Sequence, residues 1–538
     1  MADEFTREER AALAPYVSNL DGPVFALVNL PEVVKGALFA RYSRSPKSLR
    51  RLFVDEFLGA AGLEAAAFGA PGGDAGTQRA EQLYERVFVE YGDDSVAQLG
   101  GVHLACEGAS NILTKVLEWG RLMAYLEQST RYIPYDDRPD GRYRYHVPAE
   151  LPGALRERYV ATLDRSFDTY RAWLPKLRAF FEKKFPRDPA ESETVYRMTI
   201  RAKALDTLRG MLPAATTSNV GIYGTGQAYE QLLLRMRAYP LQEVRAYANL
   251  MLVELRKVIP AFLKRVDVPE RGGVWSAYFE ETRKEMREVA GRLLNAGAAA
   301  GTVPPPVALE DEVTLTDFDP DGEVKVVAAA LYAVSSRSDA ELLDAARAMT
   351  HDERNAVLAA YVVKRLNRRH RPGRAFERTS YRFDVLGDYG AFRDLQRHRL
   401  LTLEWQRLTP GHGHVVPEAI AEAGAADDWR RVLAESAELH DAIEAIGLAD
   451  IASYAVSMAY RVRFYMDMNA REAMHLIELR TTPQGHPSYR RICQTMHRLI
   501  GERHPAIAAT MTFADHSAVE LERLEAERAA ARRRAASA

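Results

Sequence analysis

Two stretches of the chain alternate apolar and polar residues with a period of two. The first is Val102-His103-Leu104-Ala105-Cys106; the second and cleaner one is Tyr381-Arg382-Phe383-Asp384-Val385. A period of two puts alternate side chains on opposite faces of an extended backbone, so each is predicted as a half-buried strand. A glycine follows in both, Gly108 and Gly387. The spacing then changes. Apolar residues stand at 112, 113, 116 and 117 in NILTKVLEWGRLMAYLEQ, and at 392, 395, 400 and 403 in YGAFRDLQRHRLLTLEWQ. That spacing predicts a helix in each place. The same order of elements therefore occurs twice. Residues repeat as well: ALFARYSRS at 37–45 aligns without gaps to ALYAVSSRS at 330–338, with identity at most positions. A tandem duplication explains both observations.

Between the copies lies AGAAAGTVPPPVALED at 296–311. Alanine, glycine and three consecutive prolines hold neither a helix nor an inner strand, which predicts a linker. The expected organisation is a first domain over 1–295, a linker over 296–322, a second domain over 323–515 and a charged tail over 516–538. GAPGGDAGT at 69–77 is predicted as a loop, and the basic, alanine-rich end from Arg528 as a solvated helix end.

Composition narrows the function classes. Hydrophobic residues make up 47% and charged residues 27%, ordinary for a soluble globular chain. Lys+Arg 72 against Asp+Glu 74 gives −2, which argues against a nucleic-acid partner held by bulk positive charge. No run reaches the roughly 18 apolar residues of a membrane span. The start, MADEFTREER, lacks the apolar segment of a secretory signal, so the expected compartment is the cytoplasm. Two cysteines, Cys106 and Cys493, exclude a disulfide framework and a multi-cysteine metal site; no metal is expected.

The densest cationic cluster in a structured context is Arg397-His398-Arg399. Consecutive helical residues point about 100° apart, so the three cannot share one solvated face. At a helix end such a triplet can wrap a phosphate or a flavin ring. RNRRHRPGR at 366–374 reads instead as a solvated basic run.

In the first half Arg121 is followed by seven residues and then Ser129, inside Glu127-Gln128-Ser129-Thr130-Arg131-Tyr132. Arg-His-Arg, and Glu-x-Ser-x-Arg-Tyr at this spacing, resemble the flavin-dependent thymidylate synthases. Further back the resemblance continues with Arg209 ahead of Leu212-Pro213, Glu243-Val244-Arg245, Asn469-Ala470-Arg471, His475, Leu479-Arg480 and Tyr489-Arg490, and ahead of Arg-His-Arg with Phe376-Glu377-Arg378. The losses are complementary. The first half has Trp119-Gly120-Arg121 for Arg-His-Arg and Thr225-Gly226-Gln227 for Asn-x-Arg. The second has Arg407 for the serine, Ser453 for the arginine before Leu-Pro, Arg378 for a histidine, and Asp394 where the family often has glutamine.

The resemblance implies an α/β (α+β) fold: two tandem family-like domains, each a mainly antiparallel sheet flanked by helices. It implies FAD held by Arg397, His398, Arg399, Glu377, Asn469, Arg471 and His475. It implies deoxyuridine monophosphate (dUMP) held by Glu127, Ser129, Arg131, Tyr132, Arg209, Arg245 and Arg490. NADPH and methylenetetrahydrofolate would be cosubstrates in making dTMP, with no cysteine nucleophile. The family's homotetramer implies a homodimer of this chain, a pseudo-tetramer of domains. The alternative is a duplicated flavin- or nucleotide-binding relative that no longer methylates. Individual residues have plainer readings too: His475 packed in a helix, Arg209 paired with Asp206 or a neighbouring helix, Tyr132 in packing, Asn469 as a helix cap.

Overall fold

In a computed structural model, the structure describes residues 5–42, 45–58, 98–294, 312–524, 527–528 and 532. The predicted 69–77 loop, the 296–311 stretch and most of the tail beyond Arg528 lie outside the described residues. The described strands are β1 (Gly101–Ser110), β2 (Met123–Glu127), β3 (Thr217–Thr225), β4 (Val313–Phe318), β5 (Ser380–Asp388), β6 (Thr402–Trp405) and β7 (Arg461–Asn469).

Four of these strands end on the residue that caps the next helix. Ser110, Thr225, Asp388 and Asn469 each close a strand, and their side-chain oxygens accept from the backbone N–H of Leu113, Ala228, Ala391 and Glu472. Each cap satisfies an amide that the helix start would leave unpaired, worth about 1 kcal/mol. The strands thus feed directly into the helices Asn111–Leu117, Gly226–Arg237, Tyr389–Leu395 and Ala470–Arg480.

The sheets repeat as well. One has the order β1-β3-β2, the other β4-β5-β7-β6. Without β4 the second order is the first over again, as a duplication requires. β5 pairs antiparallel with β7 from Ser380 opposite Asn469 to Asp388 opposite Arg461, and β6 pairs antiparallel with β7. β2 and β3 are antiparallel too. The chain is α+β, as expected.

Several expectations need correction. The helices predicted after β1 and β5 stop early, and their far ends are strands. Glu118 leaves helical geometry at φ −86°, ψ 8°, Gly120 follows, and Met123 and Glu127 are buried on one face of β2. The short alternation in MAYLE is masked by the helical spacing just before it. Gly108 and Gly387 fall inside strands; the matching strand ends are Ser110 and Asp388. Residues 313–318, inside the expected linker, form β4, with Val313 opposite Val385.

The chain divides into two compact units that are not its two halves. The first comprises 1–107, 120–127 and 219–302; the second comprises 108–119, 128–218 and 303–538. The second unit takes the helices Gly153–Lys184 and Glu193–Leu208 because their apolar faces belong to its core. Leu174, Leu177, Leu205 and Leu208 cluster with Phe383, Val385, Trp429 and Ile492. The first unit has a smaller core around Leu13, Val34, Leu38 and Phe53. Within the expected charged tail, Glu522 and Arg523 are buried, and Lys203 pairs with Glu522. Among the described residues, no helix is long and apolar enough to cross a membrane.

Candidate functional site

Within the second unit, cations from both repeats gather on one carboxylate. Asp394 lies in the last turn of the Tyr389–Leu395 helix and is buried. Arg397 Nη2 pairs with its Oδ1. Arg209, from the first repeat, opens the turn after the Glu193–Leu208 helix and places Nη1 3.5 Å from Asp394 Oδ2. Arg480, closing the Ala470–Arg480 helix, places Nη1 3.8 Å from Oδ1. Burial alone would raise the Asp394 carboxyl, but Arg397, Arg209, Arg480 and Arg131 override it and hold it far below the usual carboxylate range.

Arg131 is near this group yet already satisfied. Its Nε and Nη2 donate to Asp206 at 2.7 and 2.6 Å, its Nη1 to Tyr489 Oη at 3.0 Å, and Nη2 also to the Gln484 carbonyl at 3.3 Å. The bidentate pair is buried on both sides, and Arg131 keeps Asp206 ionised against the cost of burial. The guanidinium carbons of Arg131 and Arg480 lie 5.9 and 5.5 Å from the centre of the Tyr489 ring.

Arg209 is the opposite case. Its contact with Asp394 is long, and its Nη2, sealed from solvent, has no hydrogen-bond partner. Asp388 Oδ2 is likewise unpartnered, and burial pushes the Asp388 carboxyl up. Gly390 makes the close approach possible. A Cβ there would stand 2.9 Å from Asp388 Oδ1 and 3.1 Å from Arg209 Nε and Nη2.

His398 joins this cluster to a second one. Its Nε2 accepts from Arg480 Nε at 2.9 Å, and its Nδ1 lies 3.2 Å from Glu472 Oε1. Arginine can only donate, so the neutral imidazole carries its proton on Nδ1, toward Glu472. Burial, aided by Arg480, holds His398 well below the usual imidazole range. Glu472 is pushed up to about 7 by burial, opposed by Arg371, Arg471 and Arg399. His475, whose Nε2 is 3.2 Å from Arg371 Nη2, is pushed down to about 4 by burial, with Arg371, Arg368, Arg480 and Arg471 adding to it. The ligand atoms of His398, Glu472 and His475 lie within 4.8 Å of one another, a spacing that can suit a metal. Four arginines around them, with His398 Nε2 already taken by Arg480, favour an anion instead.

The expected site residues divide into three groups. Arg131, Arg209, Arg397 and His398 come together in the second unit. Asn469, Arg471, Glu377 and His475 surround the start of the Ala470–Arg480 helix: Asn469 caps it, and Arg471 donates to Pro372 O and Glu377, which also pairs with Arg374. Arg399 is exposed. The others stand apart from both groups and make local contacts. Ser129 Oγ accepts from Arg131 N–H. Tyr132 is exposed, with Arg523 4.0 Å over its ring. Arg490 donates to Thr481 O and Ser517 O. In the first unit, Glu127 is buried at the end of β2, and Arg245 donates to the carbonyls of Tyr239 and Pro240. Sequence reasoning missed Glu472, gave Arg480, Tyr489 and Asp394 no role, and offered Asp206 only as a partner for Arg209. The signal for Arg480 was its place at the end of the helix that opens Asn-Ala-Arg. Both cysteines are buried and their thiols raised, to about 11 at Cys106 and about 12 at Cys493, so neither is poised as a thiolate.

Comparison with known proteins agrees with the duplication. The family model for thymidylate synthase complementing protein (Thy1) matches residues 55–261 and again 314–506. A "UPF0159 protein" of Chlamydia muridarum (strain MoPn / Nigg) is 38% identical over 97% of this chain and 98% of its own length. A flavin-dependent thymidylate synthase of Clostridium tetani (strain Massachusetts / E88) is 25% identical over 33% of this chain and 67% of its own. The solved UMP/dUMP methylase PolB from Streptomyces cacaoi, bound with 5-Br dUMP, is 18% identical over 37% of this chain and 93% of that one, with a TM-score of 0.30.

Proposed function

The chain belongs to the thymidylate synthase complementing protein family, and from that premise we propose that it is a flavin-dependent nucleotide methylase that converts dUMP to dTMP at a site composed from both repeats. FAD is its cofactor, with methylenetetrahydrofolate and NADPH as cosubstrates. The flavin-dependent relatives support the cofactor, and the donor set fits it. Arg371, Arg399 and Arg471 act together on Glu472 in the first turn of the Ala470–Arg480 helix. Cations at a helix start suit a dinucleotide's diphosphate. When bound, FAD would supply the redox and one-carbon-transfer chemistry.

The chain's own residues have distinct tasks. Arg209, Arg397 and Arg480 bind the nucleotide phosphate by charge-assisted hydrogen bonds. Arg131, locked by Asp206, fixes Tyr489, against which Arg480 rests. His398 accepts from Arg480 and so orients its guanidinium. The observation that carries this reading is Arg209: a buried guanidinium from the first repeat, with an unpartnered Nη2, aimed into a cation cluster of the second. A buried donor without an acceptor is costly, and a ligand anion would satisfy it. The test is the visible spectrum of the purified chain, followed by turnover of dUMP with methylenetetrahydrofolate and NADPH. A yellow protein that forms dTMP supports the proposal. A flavin-free protein, or a flavoprotein without turnover, contradicts it.

A further inference from the structure

Two buried carboxylates meet arginines in the second unit, and they meet them differently. Asp206 fits its partner: two contacts under 3 Å to the fork of one guanidinium. Asp394 has two oxygens for three guanidinium groups. It closes on Arg397 but stands 3.5 Å from Arg209 Nη1 and 3.8 Å from Arg480 Nη1. Arg209 Nη2 is left with no acceptor. Converging cations need an anion between them, yet a carboxylate is too small for this set. A phosphate monoester, with three terminal oxygens, matches three guanidinium groups.

We propose that the Asp394 carboxylate is an internal stand-in for the ligand's anion: it holds Arg209, Arg397 and Arg480 together in the free protein, and a phosphate group displaces it on binding. This rests on the reading of the cluster as the nucleotide site. It adds that Asp394 competes with the ligand and so sets its affinity, whereas Asp206 is purely structural. The field of the four arginines keeps Asp394 ionised, so it competes as an anion throughout the neutral range.

The test compares the full chain with Asp394→Asn and Asp206→Asn, by thermal melting and by titration with inorganic phosphate and with dUMP at low salt. Asp394→Asn should melt below the unaltered chain in phosphate-free buffer. It should then recover more on adding phosphate and bind it at least about tenfold more tightly. Asp206→Asn should lose stability with no gain in phosphate response. Adding Arg480→Gln to Asp394→Asn should remove the gain. Equal phosphate responses in Asp394→Asn and the unaltered chain overturn the proposal. So does an Asp394→Asn chain that phosphate fails to restore, including one that does not fold at any phosphate concentration. So does a gain of equal size in Asp206→Asn. If phosphate restores Asp394→Asn but neither protein turns over dUMP, the stand-in stands and the methylase reading falls. If the unaltered chain turns over dUMP and Asp394→Asn shows no gain, the reverse holds.

Discussion

At the scale of residues, the cluster shows which arginines are committed and which are poised. Arg131 was a natural candidate for substrate binding, but Asp206, Tyr489 and a carbonyl already use its donors. Sequence reasoning offered Asp206 to Arg209 as a plain ion-pair partner; the structure gives it to Arg131. Such assignments are not legible in a sequence, because residues 75 positions apart meet only through the fold. Breaking this buried pair by Asp206→Asn should cost about 3–5 kcal/mol, since it strands a desolvated guanidinium. Chemical denaturation measures that directly. Glu472 gives a second prediction. Its carboxyl is raised from 4.5 to about 7, so between those values the folded chain binds more protons than the unfolded one, and stability falls as pH rises. His398 and His475 are lowered and act the other way, losing stability as pH falls below 6.5. Glu472→Gln isolates the first effect. Its melting temperature relative to the unaltered chain should climb between pH 5 and pH 8, by up to roughly 3 kcal/mol of stability. A difference that does not vary with pH would rule out a raised Glu472.

At the scale of elements, the sequence exposed the strands and hid the turns. The period-two stretches at 102–106 and 381–385 are the centres of β1 and β5. The helical spacing after them overshoots the real helices by more than their own length, because it runs on from their first turns into β2 and β6. What positions the site is the strand–cap–helix joint. Asp388 closes β5 and starts the Tyr389–Leu395 helix, which delivers Asp394, and Arg397 and His398 follow its end. Asn469 closes β7 and starts the helix that delivers Glu472, His475 and Arg480. Gly390 lies inside the first joint, where a side chain would press on Arg209 and Asp388. Gly390→Ala should therefore weaken nucleotide binding about tenfold by moving the Arg209 guanidinium, in line with what small displacements of binding groups cost. Calorimetric titration checks this, and an unchanged affinity would mean that Arg209 does not contact the ligand.

At the scale of the whole molecule, the duplication gives the chain one set of cations, not two. The cap pairs Ser110/Asp388 and Thr225/Asn469 and the turns opened by Arg209 and Ser453 align the repeats. In that alignment Asp394, Arg397 and Arg480 correspond to Val116, Trp119 and Met236, while Arg131 and Arg209 correspond to Thr409 and Ser453. No cation occupies any of these five corresponding positions. The complementary losses were legible in the sequence; which positions of the two repeats correspond needed their elements to be matched. We propose a homodimer carrying two such sites, which light scattering would check against a monomer or tetramer. Calorimetric titration of dUMP into the purified chain decides whether arginines from both repeats form one nucleotide site. A shared site takes up one nucleotide per chain, with binding lost in Arg209→Gln of the first repeat and equally in Arg480→Gln of the second; two nucleotides per chain, or binding that survives either substitution, means that the repeats do not share a site.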